Sequence, residues 1–153
     1  MAGKELFYEN IEKKTAENKY YRHVLYTGKS MQIVVMNIPP NDDIHNEKHE
    51  TIDQFIRIEK GVGKAIIDSK TYDLNEGIGL IIPASKWHQI INTSSTDDLK
   101  LYTIYSPPEH EDGKKQLVNP DKVKEGGNDF YNKYKKYKSK YKNLLKNLKI
   151  IIN

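Results

Sequence analysis

Histidine is scarce in this chain, with five among 153 residues, and three of them lie in stretches whose composition and spacing could do chemistry. These stretches are NDDIHNEKHETIDQFIRIEKG (41–61) and GIGLIIPASKWHQIIN (77–92). In the first, Glu47 and His49 are two residues apart, so on a strand both side chains leave by one face, and His45 shares that parity as a spare candidate. Gln54 follows beyond a short turn. In the second, Pro83 closes one apolar run and His88 opens the next, a hairpin able to aim an imidazole inward. Three or four ligands from three strands can converge on one point inside a barrel. The chain has no cysteine, which excludes disulfides and thiolate sites, so any metal must be held by imidazole, carboxylate or amide groups.

The elements that must position these residues are short. Apolar runs HVLYT (23–27), MQIVVMNI (31–38), DQFIRIE (53–59), GKAIID (63–68), IGLIIP (78–83), HQIIN (88–92) and LKLYTIY (99–105) alternate with TGKS, PPNDD, EKG, NEG, PASK and NTSSTDD. Val-, Ile- and Tyr-rich strands punctuated by Gly, Pro, Asn and Asp predict an all-β sandwich or barrel. No helical period interrupts them, against a parallel α/β sheet, and no repeat of fixed period is visible. Residues 1–20 are polar and predict an N-terminal arm or short helix; the barrel is expected over 21–112.

The two chemistry-bearing stretches resemble the paired motifs of the cupin family. The first motif has the form Gly, five residues, His, one, His, three or four, Glu, six, Gly, and its positions fall on Asn41, Glu47, His49, Gln54 and Gly61. The second, Gly, five, Pro, one, Gly, two, His, three, Asn, falls on Gly77, Pro83, Ser85, His88 and Asn92. The resemblance spans about residues 21–108 and departs from the family at Asn41, Glu47, Gln54 and Ser85. It implies an antiparallel double-stranded β-helix, or jelly-roll barrel, with a divalent metal ion in its mouth. Where the family offers three His and one Glu, this chain offers His49, His88 and Glu47, with Gln54 as a neutral oxygen ligand or a hydrogen-bonding support. Two imidazoles and a carboxylate suit Fe, Mn, Ni or Zn and leave open positions. A metal-free pocket is the competing outcome.

The resemblance extends to small single-domain cupins of the phosphomannose-isomerase-like type, through DQFIRIEKG and LKLYTIYSPPEH. It implies a small polar substrate such as a sugar phosphate, and a metal-dependent isomerase with Glu47 or Glu109 as the general base. A non-haem iron dioxygenase and a non-catalytic small-ligand-binding cupin are the alternatives. Arg57 is expected to face away from the pocket and pair with Glu59, Trp87 and Tyr102 to be core or rim aromatics, and Glu109 and His110 to lie in a solvated loop. A homodimer formed through edge strands is also expected.

Net charge conceals an asymmetry. Met1–Asp112 holds 13 Lys/Arg against 18 Asp/Glu, and the rest of the chain holds 12 against 3. In this basic tail (113–153), Phe130, Tyr134, Tyr137, Tyr141, Leu144, Leu148 and Ile151 recur at steps of four and three, predicting an amphipathic helix over about 129–151. Packing on the barrel or a second subunit is the expected use of that seam, with nucleic acid or an anionic membrane as the less favoured partners. No apolar run approaches the ~20 residues of a membrane span and the first ten residues do not read as a signal peptide, so the expected compartment is cytoplasmic.

Overall fold

Alternating burial along the strands builds two antiparallel sheets around one apolar interior in a computed structural model that describes residues 6–125. The chain runs α1 (Ile11–Glu17), β1 (Arg22–Thr27), β2 (Gln32–Ile38), β3 (Asp43–Glu47), β4 (Asp53–Lys60), β5 (Gly63–Ile67), β6 (Lys70–Leu74), β7 (Gly79–Ile82), β8 (His88–Asn92), β9 (Leu99–Ser106), β10 (Lys115–Gln116) and α2 (Pro120–Glu125). Six strands form one sheet in the order β10-β1-β2-β9-β4-β7, and four form the other in the order β3-β8-β5-β6. Every pairing is antiparallel. This is the expected jelly-roll barrel. Inward positions of both sheets, among them Val34, Met36, Ile56, Ile58, Ala65, Ile90, Leu99 and Leu101, are fully buried and make one core.

The seven apolar runs are all strands. The polar sequences DIHNE and KTYDL add β3 and β6 at the two edges of the smaller sheet, where one unpaired side tolerates polar composition. A tenth strand, Lys115–Gln116, pairs with β1 beyond the expected end of the barrel at residue 112. Within the polar N-terminal segment, Asn10 caps α1 by accepting from the backbone N–H of Lys13 at 2.9 Å. The helix packs against β2, β9 and β4 with Thr15 fully buried, which explains why β2 is buried on both faces. The six-residue α2 belongs to a separate unit beginning at Pro120. The basic helix expected over 129–151 lies outside the described residues. No helix among those described is long and apolar enough to cross a membrane.

Backbone geometry explains the motif spacing. Asn41, Gly61, Gly77 and Ser85 stand at the four glycine positions of the two motifs, and all four have positive φ, at 58°, 93°, 89° and 68°. Left-handed turns at these points fix where each strand leaves the barrel rim. Asn pays little strain there because its short side chain tolerates this region, and Ser85 is tied by its hydroxyl to the Glu50 carbonyl at 3.1 Å. At Gly61 space is also limiting: a Cβ would lie 2.5 Å from the Asp98 carbonyl oxygen.

Candidate metal centre

Strand β8 presents His88 from its first residue, and the turn before it is held from both sides. The Asp68 carboxylate accepts from the Trp87 backbone N–H at 3.1 Å and pairs with Lys86 Nζ at 2.7 Å. On the other side the Ser85 N–H donates to the His49 carbonyl at 2.7 Å, and the Ala84 N–H donates to Asp53 Oδ1 at 2.9 Å. The two histidine-bearing segments are therefore stitched together through backbone. Asn92, buried at the far end of β8, donates to the Ile38 and Asp97 carbonyls at 2.9 and 2.8 Å and accepts from the Ser94 N–H at 2.9 Å. The motif's asparagine is thus a structural clamp.

His88 Nδ1 lies 2.9 Å from the Lys86 carbonyl oxygen. A carbonyl only accepts, so Nδ1 carries the proton and Nε2 presents its lone pair to the barrel interior. Glu47 Oε1 stands 3.5 Å from that Nε2 and 3.4 Å from His49 Nε2. Neither contact is a well-formed hydrogen bond, and both Nε2 atoms are buried without a hydrogen-bond partner. One ligand atom from each of Glu47, His49 and His88 lies within 4.8 Å of the others. Two buried imidazole nitrogens without hydrogen-bond partners, and the carboxylate oxygen they converge on, form a donor set that could hold a metal ion.

Glu47 and His49 also shift one another's protonation. Burial raises the Glu47 carboxyl, but His49 and His88 beside it outweigh that effect and hold it well below the usual carboxylate range. Glu47 in turn raises His49, against the opposing effect of burial. Gln54 is buried on the inner face of β4 beside Tyr105, its cross-strand partner. Its amide donates to Thr103 Oγ1 at 3.0 Å, while its Oε1 is buried with no partner, as an oxygen ligand or a hydrogen-bonding support requires.

His45 is not a spare ligand. Ile44 pairs with Ile90 and Glu47 with His88, so three residues of β3 span two of β8. This β-bulge turns Ile44 and Glu47 both inward and leaves His45 exposed. The strict alternation that put residues 45, 47 and 49 on one face fails for the same reason, and His49 lies beyond the strand's end. Trp87 is a half-exposed rim residue with Lys48 Nζ 5.5 Å from its ring centroid, and Tyr102 packs on Phe55 at 6.1 Å. Arg57 lies 3.8 Å from Glu59 as expected.

The segment after β9 is not a free solvated loop. Glu109 Oε1 approaches His49 Nδ1 at 3.6 Å, and the His110 ring stacks edge-on against Tyr105 at 5.1 Å. Tyr105 in turn meets the His49 ring at 5.8 Å. Arg22 was not singled out by sequence, yet it shares strand parity with the core residue Val24 and so faces the interior. That parity was the available signal for it.

Comparison with known proteins adds relatives. The family described as "Cupin domain" matches residues 34–105. "Uncharacterized protein L612" of Acanthamoeba polyphaga mimivirus is 46% identical over 143 residues, covering 90% of this chain and 89% of that protein. "Uncharacterized protein YrkC" of Bacillus subtilis (strain 168) is 37% identical over 127 residues, covering 79% of this chain and 68% of its own length. The crystal structure of BH2720 from Bacillus halodurans superposes with a TM-score of 0.73 at 34% identity, over 76% of this chain and 92% of that one.

Proposed function

The chain belongs to the cupin family, and from that premise we propose that it binds a divalent metal through Glu47, His49 and His88 and acts on a small polar molecule. The observation that carries this reading is the pair of buried, partnerless Nε2 atoms flanking one carboxylate oxygen. Gln54 Oε1 is the fourth candidate ligand atom. Iron, manganese, nickel and zinc all suit this set. When bound, such an ion supplies Lewis-acid polarisation of substrate oxygens.

The reaction class we favour is isomerisation of a sugar phosphate by proton transfer between adjacent carbons, as in phosphomannose-isomerase-like cupins. Glu47, flanked by two imidazoles, is the ligand. Glu109 is the carboxylate left for proton transfer: it is partly exposed and lies 3.6 Å from the His49 ring. Burial keeps the Tyr105 hydroxyl protonated, so it can serve as a donor to substrate oxygen. A second reading, non-haem iron chemistry with dioxygen, is favoured by the count of two imidazoles and one carboxylate.

Metal analysis of the wild type against the His49→Ala/His88→Ala double variant tests the shared premise. Stoichiometric metal in the wild type and none in the variant is the expected result; equal metal in both overturns it. Anaerobic, metal-dependent interconversion of mannose and fructose phosphates supports the isomerase, and oxygen uptake with Fe(II) supports the alternative. We further propose a homodimer through edge strands, supported by exposed Ile81 on β7 and Tyr72 on β6. A monomeric mass by light scattering well above micromolar concentration overturns it.

A further inference from the structure

Two half-buried polar side chains at the barrel mouth, each with one buried nitrogen that has no partner, have no use in the metal centre. Arg22 leaves β1 on its inner face. Its Nη1 donates to Gln116 Oε1 at 2.6 Å, its Cζ lies 5.6 Å from the Tyr21 ring centroid, and its Nε is buried with no partner. Among the described residues no carboxylate forms an ion pair with it; its acceptor is a neutral amide. His110 Nε2 is likewise buried without a partner. A guanidinium in this state is costly unless an anion completes it.

The surroundings hold both groups in place. Gln32 is fully buried and closes on the backbone of His110, accepting from its N–H at 2.9 Å and donating to its carbonyl at 2.7 Å. Strand β10 pairs Gln116 with Arg22, so the amide that orients the guanidinium is itself set by the sheet. Two ring contacts, His110 to Tyr105 and Tyr105 to His49, join this corner to the candidate metal centre.

We propose that Arg22 and His110 form an oxyanion subsite that receives the carboxylate or phosphate group of the substrate, whose other end reaches Glu47, His49 and His88. The placement relative to substrate rests on the metal-centre reading; the anion site itself does not. Arg22 is the cation whose charge is felt at Tyr21, His49, Tyr105 and His110 alike. Burial first, and Arg22 next, lower the His110 imidazole to about 4, so it stands neutral as a hydrogen-bonding partner for the anion. A guanidinium with a free Nε–H matches the fork geometry of carboxylate and phosphate, which a lysine in this place would not.

The test is titration of the full-length protein with inorganic phosphate and, separately, with malonate, following the Arg22 Nε–H and His110 ring signals by NMR with chloride at matched ionic strength as control. The expected result is a saturable shift with phosphate or malonate and none with chloride; the tighter of the two assigns the substrate's anionic group. Affinity is expected to fall about tenfold or more in Arg22→Gln, with Arg22→Lys intermediate. Signals that stay unmoved in the wild type overturn the proposal, as does unchanged affinity in folded Arg22→Gln. If Arg22→Gln fails to fold, the wild-type signals alone decide. The same titration in the His49→Ala/His88→Ala variant separates the two readings. A response that persists there upholds the anion site even if the wild type binds no metal. Metal in the wild type without an Arg22 response overturns the anion site and leaves the metal reading intact.

Discussion

One side-chain amide, that of Gln32, satisfies both backbone groups of His110, through contacts of 2.9 Å to its nitrogen and 2.7 Å to its carbonyl oxygen, and also lies 3.3 Å from the Glu109 nitrogen. A residue at the start of β2 thereby sets the segment that carries Glu109 to His49. Gln32→Leu keeps the approximate volume but strands those groups. It is expected to cost roughly 2–4 kcal/mol in denaturant unfolding. Amide exchange at Glu109 and His110 is expected to accelerate well beyond that at β4. Exchange that rises equally everywhere would mean the clamp acts only on global stability.

Gln54 separates two effects of opposite sign. Gln54→Glu places a carboxylate where exposure is 1%, so the metal-free protein is expected to lose roughly 1–3 kcal/mol. If Gln54 Oε1 is a ligand, the same change raises metal affinity by about tenfold, since ligand charge and its support tune such sites over this range. Thermal unfolding with chelator and with Mn(II) or Zn(II) reads both. A variant whose metal affinity is unchanged would assign Gln54 a supporting role only.

Asn41 and Ser85 occupy left-handed backbone, so the side chain permitted there is limited by sterics. Asn41→Gly is expected to change stability by no more than about 0.5 kcal/mol, whereas Asn41→Val costs about 1–2 kcal/mol. Ser85→Val adds a further consequence, because the Ser85 N–H holds the His49 carbonyl. Its metal affinity is expected to fall along with its stability, and only the second effect is expected for Asn41→Val.

His110 gives stability a pH dependence on the acid side. Its pKa is about 4 in the folded chain, lowered first by burial and then by Arg22 and Lys114, with Glu47 opposing and His49 adding a smaller lowering. Unfolded, it returns to the ordinary value near 6.5. Between these values the unfolded chain binds more protons, so stability contributed by neutral His110 is present above 6.5 and declines as pH falls toward 4. His110→Gln is expected to flatten the unfolding free energy over that interval relative to the wild type. Identical pH profiles for the two proteins would refute it.

Much of this architecture was legible in the chain itself. Alternation of apolar residues located seven strands, since a strand with one buried face must place every second side chain in the core. DIHNE and KTYDL escaped because edge strands need little apolar content. The motif intervals located the left-handed turns even where Asn41 and Ser85 replace glycine, because turn spacing depends on backbone conformation more than on residue type. Glu47, His49, Gln54 and His88 followed from those intervals.

Sequence by itself therefore determined the barrel, its turns and the two histidines that meet inside it, with ring centroids 5.3 Å apart. Tertiary structure alone decided three things. The bulge in β3 turned His45 out while Glu47 stayed inward, and a two-residue period cannot reveal an insertion of one residue into a ladder. The docking of residues 109–110 under Gln32 brought Glu109 and His110 to the site across a separation of 78 residues between Gln32 and His110. The pairing of β1 with β10 set Gln116 against Arg22, whose inward direction alone was legible from its parity with Val24. Each is a long-range convergence, set by which surfaces meet once the chain is folded, and no local pattern of residues encodes it.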